Sequence, residues 1–190
     1  MGIIIVGFRG IGKTYLANME NSFKLAGDRT ITEVIEYQYH YYPSGSINPH
    51  FPASYIMAIV QAKLRYDIIL LGFSNATMSS LKKRGVNDYI VVYPTSFANE
   101  EYANRYKAYI KNPDKIKYYN REFASAIDSI EKLDAYKYKL TIKQHLSDVI
   151  LDVIDTYNAK KLRKVASDIE RRESNAGKKK AQKGSARSTK

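Results

Sequence analysis

The chain has 190 residues, 31 Lys and Arg against 19 Asp and Glu for a formal charge of +12, 44% hydrophobic residues and 17 tyrosines. That is enough for a single domain with one core, and too apolar and aromatic for wholesale disorder. Its longest apolar runs, 3–6 and 68–71, fall far short of the roughly 18–20 residues of a membrane-spanning helix, so a transmembrane protein and a membrane partner are excluded; with no cysteine, so are disulfides and Cys-ligated metals.

Met1 leads straight into an apolar run without a charged n-region, so no secretory leader is expected and the setting is read as cytoplasmic. Residues 2–6, almost purely β-branched and ending at Gly7, read as a strand buried on both faces, as in a parallel sheet. A helix is expected over 13–20 and a weaker strand over 30–36. From 37 to 52 the chain is rich in Tyr and holds three prolines, the signature of a long irregular loop. Ile56, Ile59, Val60 and Leu64 have helical spacing after Pro52. Residues 67–72 and 88–93 are further buried strands, separated by a short helix over 78–84 that Gly85 stops.

Strand, helix, strand, helix, strand implies right-handed βαβ units. Beyond Pro94, Tyr102, Tyr106, Tyr109 and Ile110 share one helix, and Asn112-Pro113 supplies an N-cap and first-turn proline for the next. Residues 137–143 alternate as a half-exposed edge strand. Leu146, Val149, Ile150, Val153, Ile154 and Tyr157 then define a strong amphipathic helix.

The chemistry-bearing motif is Gly7-Phe8-Arg9-Gly10-Ile11-Gly12-Lys13-Thr14, a full match to G-x-x-x-x-G-K-[ST] placed where a buried strand ends and a helix begins. Such glycines let backbone N–H groups approach phosphates, the lysine reaches the β- and γ-phosphates, and the Thr14 hydroxyl is placed to ligate Mg²⁺. Gly7, Arg9, Gly10, Ile11, Gly12, Lys13, Thr14 and the following Tyr15 are therefore the candidate ATP-binding residues, with Arg9 at the rim.

On this motif, the chain resembles the P-loop kinases, in particular the small nucleotide-kinase-like proteins of bacteriophages and bacteria. Two weaker likenesses are Asn48-Pro49-His50-Phe51-Pro52, leading into the helix before 67–74, and Val91-Val92-Tyr93-Pro94 followed by Glu101-Tyr102-Ala103-Asn104-Arg105-Tyr106; together they span roughly 1–152. The resemblance implies a P-loop NTPase α/β fold: a mostly parallel sheet flanked by helices, with a helical lid insertion and a basic C-terminal tail. It also implies transfer of the ATP γ-phosphate to a nucleotide acceptor. Arg105 matches the lid-arginine position, and Lys13 and Arg105 are candidate catalytic groups because phosphoryl transfer depends on positive charge around the spreading oxygens.

No acidic residue ends the 67–72 strand, since Asp67 stands at its beginning. Glu36, at the end of the weak second strand on the ligand-binding edge of an open α/β sheet, is the favoured carboxylate, with Glu33 and Asp28 as competitors. Tyr37, Tyr39 and Tyr41 would share a face if extended and could stack on an acceptor base. His50 and Arg121 are further acceptor candidates, and the three histidines show no metal-ligand spacing.

The basicity is uneven. Residues 160–190 hold twelve Lys and Arg against three acids, so the first 159 account for only +3. The expected layout is a kinase domain over 1–158 with its lid at about 95–133, a helical extension over 159–173, and a disordered basic tail over 174–190. That tail is a DNA-binding arm, or only a solubilising appendage. Three functions fit: a kinase for a nucleoside monophosphate or modified deoxynucleotide, a kinase for a hydroxymethylated pyrimidine base in DNA, and a P-loop nucleotide-binding module without transfer.

Overall fold

The computed structural model describes residues 2–185, with side chains through 175. Five strands, β1 (Ile3–Gly7), β2 (Ile31–Val34), β3 (Ile68–Gly72), β4 (Tyr89–Pro94) and β5 (Tyr136–Leu140), form one sheet in the order β2-β3-β1-β4-β5. Every pairing is parallel. The most apolar runs take the middle places: β1 sits between β3 and β4, with Val6 opposite Leu71 on one side and Val91 on the other. Ile4, Ile5, Val6 and the β3 and β4 runs are buried, each large side chain contributing about 1.5–3 kcal/mol of burial free energy. The alternating β5 pairs with β4 alone and forms the edge.

Helices α1 (Lys13–Ala17), α2 (Met19–Ala26), α3 (Tyr37–His40), α4 (Ala53–Ala62), α5 (Asn75–Lys83), α6 (Asn99–Tyr109), α7 (Pro113–Glu131) and α8 (Leu146–Ser185) complete the chain, with a 3₁₀ turn at Ser96–Ala98. The Asn112 side chain accepts from the N–H groups of Asp114 and Lys115 ahead of Pro113, as expected of an N-cap. Phe123, Ile127 and Ile130 form the buried face of α7, and Tyr102 and Tyr106 that of α6.

Three expectations change. The helix over 13–20 breaks at Asn18, which is extended and caps α2 by accepting from Glu20 N, because asparagine is weak inside a helix and strong at its start. Residues 37–40 close into a helical turn, so Tyr37, Tyr39 and Tyr41 do not share an extended face. Helix α8 continues to Ser185, well into the stretch expected to be disordered, where Lys, Ala and Gln favour helix strongly enough to offset two glycines; residues 186–190 of that expected tail lie outside the described residues.

The chain divides into two compact units, Met1–Ile154, which holds the sheet, and Asp155–Lys190, whose described residues continue α8 to Ser185. Among the described residues no helix is long and apolar enough to cross a membrane.

Candidate active site

Because β1 is central, its C-terminal end delivers Gly7 to the middle of the sheet edge where open α/β folds bind ligands. Phe8 N donates to Val92 O at 2.8 Å and Phe73 N to Gly7 O at 3.0 Å, so both neighbouring strands pin the loop's start. The turn needs glycine at Gly10 (φ 83°) and Gly12 (φ 92°), both in the left-handed region. The Lys13 side chain folds back across the loop, where Nζ donates to Gly7 O and Phe8 O, each at 3.2 Å. Desolvation pulls its pKa down to about 8; Glu33 opposes this and Arg9 adds to it. Next to it, Thr14 Oγ1 donates to Glu33 Oε2 at 2.6 Å.

Over this loop opens a pocket of about 780 Å³, walled by Tyr109 and Arg105 of α6 and by His145 and Ser147 at the start of α8. Leu146 N donates to Ile11 O at 2.8 Å, tying the α8 turn to the loop. Arg105 lines the pocket, but its donors are engaged. Nη1 donates to Gly10 O at 3.0 Å, and Nη2 donates to Gln144 O at 3.0 Å and pairs with Glu101. Glu101 Oε2 in turn accepts from Lys143 N at 2.7 Å. The guanidinium thus laces α6, the glycine loop and the turn before α8 together.

Arg9 also borders a second recess of about 340 Å³, whose lining includes Phe8, Phe73, Ser74, Tyr118, Tyr119 and Glu122. The surface of Arg9 is exposed overall, yet its guanidinium lies over the Tyr119 ring at 3.5 Å, where burial lowers its pKa. From its place in the loop Arg9 contributes to the lining of both spaces.

The candidate carboxylates have different partners. Glu36 lies beyond the end of β2, as the residue preceding α3, and its Oε2 accepts from Thr77 Oγ1 at 2.8 Å and Ser74 Oγ at 3.2 Å. Glu33, the competitor on β2 itself, is the one that meets Thr14. Asp28 is in the turn before β2 with φ 59°. Asp67 accepts from Thr30 N and Thr30 Oγ1, both at 2.8 Å, at the N-terminal end of β3.

Four acceptor candidates line neither pocket. Tyr37 is 69% exposed with its ring 5.0 Å from Tyr41; Tyr39 packs 5.7 Å from Tyr55. His50 is exposed, and its N–H donates to Asn48 Oδ1. Arg121 is exposed and pairs with Glu122 at 3.1 Å. Of the residues that wall the recess, Tyr106 was marked in the sequence by helical spacing, a signal of packing and not of a site. Arg9 and Phe8 alone belong to the glycine motif.

Among the described residues no cluster of three or more His, Asp or Glu could hold a metal. A hydroxyl beside a carboxylate, Thr14 with Glu33, nonetheless suits Mg²⁺, which takes one or two protein oxygens and completes its shell with phosphate and water.

No protein-family model matches the chain, and no curated protein does. Among solved structures, a gluconokinase from Sinorhizobium meliloti 1021 is similar to it, with a TM-score of 0.50 and 10% identity over 83% of this chain and 91% of that one. At this identity the likeness speaks for the fold. The parallel five-stranded sheet flanked by helices is a P-loop kinase fold.

Proposed function

We propose that the protein is an ATP- and Mg²⁺-dependent phosphotransferase that moves the γ-phosphate of ATP to a nucleotide-type acceptor, a nucleoside monophosphate or a modified deoxynucleotide. The observation that carries this reading is the juxtaposition of Lys13, Thr14 and Glu33 at the foot of a pocket that shares Arg9 with a ring-lined recess. ATP belongs in the larger space, with its phosphates over Gly10, Gly12 and Lys13. Lys13 leaves the carbonyls of Gly7 and Phe8 to meet the phosphate oxygens, and Thr14 holds the metal with Glu33 orienting it. Bound Mg²⁺ neutralises charge on the transferring phosphoryl group.

The acceptor belongs in the recess, and Glu36, reached through Ser74, is the carboxylate on its side. Arg105 holds the loop's shape rather than reaching the phosphate. Residues 1–158 form the catalytic domain in this reading, with a lid at about 95–133.

A second reading, transfer to a hydroxymethylated base in DNA, is favoured by the exposed cations Arg163, Lys164, Arg171 and Arg172 of α8, which suit a polyanion. The test is incubation with γ-labelled ATP, Mg²⁺, free deoxynucleotides, ordinary DNA and hydroxymethyluracil-containing DNA, with Lys13→Ala as control. Label in free nucleotides supports the first reading and label in modified DNA the second. Label that persists in Lys13→Ala refutes both, and tight ATP binding without transfer leaves a nucleotide-binding module.

A further inference from the structure

Resting on the phosphotransfer reading but narrowing its acceptor away from a nucleoside monophosphate, we infer that the group received by the recess is an uncharged ring bearing a hydroxyl, so that phosphate is delivered to a carbon-bound oxygen and not to an acceptor's own phosphate. The charge inventory of the recess carries this. Of the residues lining it, Arg9 is the one cation and Glu122 the one acid. Arg9 is shared between the two spaces: Tyr119 covers one face of its guanidinium at 3.5 Å, and the residue also borders the pocket assigned above to ATP. Arg121 does not line the recess; it pairs with Glu122 at 3.1 Å and lies 5.5 Å from the centre of the Tyr118 ring.

Another carboxylate, Glu36, does not line the recess but accepts from Ser74 of its lining at 3.2 Å. Residues 30–62, which supply Glu33 and Glu36, contain no Lys or Arg at all. A phosphate monoester brings roughly 1.5 to 2 negative charges at neutral pH, and here the lining offers it a single cation, Arg9, which the larger pocket shares. Burying an unpaired charge is strongly unfavourable. A neutral ring meets the opposite situation, since Phe73, Tyr118 and Tyr119 offer faces and edges for stacking. At about 340 Å³ the space lies at the small end of ligand pockets, which run from about 300 Å³ upward, and so suits a single ring system with a compact substituent.

In the step itself the acceptor hydroxyl oxygen bonds to the γ-phosphorus as the bond from that phosphorus to the β–γ bridging oxygen breaks. ADP leaves with the electron pair, and the hydroxyl proton passes by way of Ser74 to Glu36 and on to water. The product is a phosphate monoester.

The full chain is to be given ATP, Mg²⁺ and two matched panels: thymidine, 2′-deoxyuridine and 5-hydroxymethyl-2′-deoxyuridine, and the 5′-monophosphates of thymidine and 2′-deoxyuridine. Products are assigned by ³¹P NMR. A monoester from an uncharged nucleoside, without nucleoside diphosphates from the monophosphates, is expected; diphosphate formation overturns the inference while leaving the kinase reading intact. If neither panel reacts, calorimetry with a non-hydrolysable ATP analogue decides. Nucleosides binding at least tenfold more tightly than their monophosphates uphold the inference, and equal, reversed or absent nucleoside binding overturns it. Failure to bind ATP removes the kinase reading instead. Ser125→Arg, at an exposed position on the recess wall, is expected to raise monophosphate affinity about tenfold, and no gain would show that charge does not set the choice.

Discussion

Around the glycine loop the backbone does the recognising. Carbonyls of Gly7, Phe8 and Gly10 hold Lys13 and Arg105, and the turn rests on the positive φ of Gly10 and Gly12. Across Arg9 the recess is lined by residues from distant parts of the chain, 8, 73, 118–119 and 122 among them, where α7 packs on β4. A backbone-built grip tolerates little change and can be written in a short contiguous motif. A recess assembled from distant residues can be retuned at single positions without disturbing the grip, which allows one phosphate-transfer apparatus to serve different acceptors.

The sharpest way to break this comparison is Lys13→Ala. Loss of one preorganised charge at a phosphoryl group is expected to lower transfer by about 10²–10³-fold, with acceptor-ring affinity, read by calorimetry, unchanged. A parallel loss of ring binding would show that the two regions are one. The next effect belongs to Arg105→Ala. Removing a largely buried member of an ion pair, its side chain 12% exposed, costs about 3–5 kcal/mol, roughly 10 °C in Tm for a chain of this size. KM for ATP should rise with it. A fall in kcat at unchanged Tm would instead return Arg105 to the transition state as a direct charge donor.

These two regions also differ in how far they could be read from residues alone. The parallel sheet was legible because β1, β3 and β4 are uninterrupted apolar runs, and the Asn112-Pro113 start of α7 because capping is a local interaction. The choice between Glu33 and Glu36 was not. Strand β2 stops at Val34, two residues short of the expected end, which leaves Glu33 on the strand beside Thr14 and carries Glu36 beyond it towards Ser74 and Thr77. Local pattern places a strand end only to within a few residues. The tyrosine-rich segment was misread for a related reason: its helical turn packs Tyr39 near Tyr55, and His40 stacks on Phe51 at 4.4 Å, contacts that periodicity does not encode.

On the recess side, Tyr118→Ala tests whether aromatic stacking sets acceptor affinity. Loss of one stacking ring costs about 1–3 kcal/mol, so acceptor KM should rise by about tenfold or more while KM for ATP holds. Tyr118 is 51% exposed, so the fold should survive the change. Equal effects on both substrates would mean that the two spaces are not insulated from each other.

The smallest expected effect separates the regions by pH. Desolvation leaves the Lys13 ammonium with a pKa of about 8 in the ligand-free protein, below its ordinary 10.5. Between those values the unfolded chain holds a proton that the folded one has lost, so stability rises with pH across that window as the desolvation penalty is relieved. Phosphate binding has the opposite slope. Nucleotide restores the charge on Lys13, so ATP binds independently of this group below pH 8 and takes up a proton above it, its affinity falling by up to about tenfold per pH unit. Calorimetry in buffers of different ionisation enthalpy reads the proton uptake, and melts from pH 7 to 10 read the stability. Lys13→Arg stays protonated throughout this range and should flatten both slopes. An uncharged acceptor in the recess should show neither, and a matching pH dependence there would tie its binding to the same lysine.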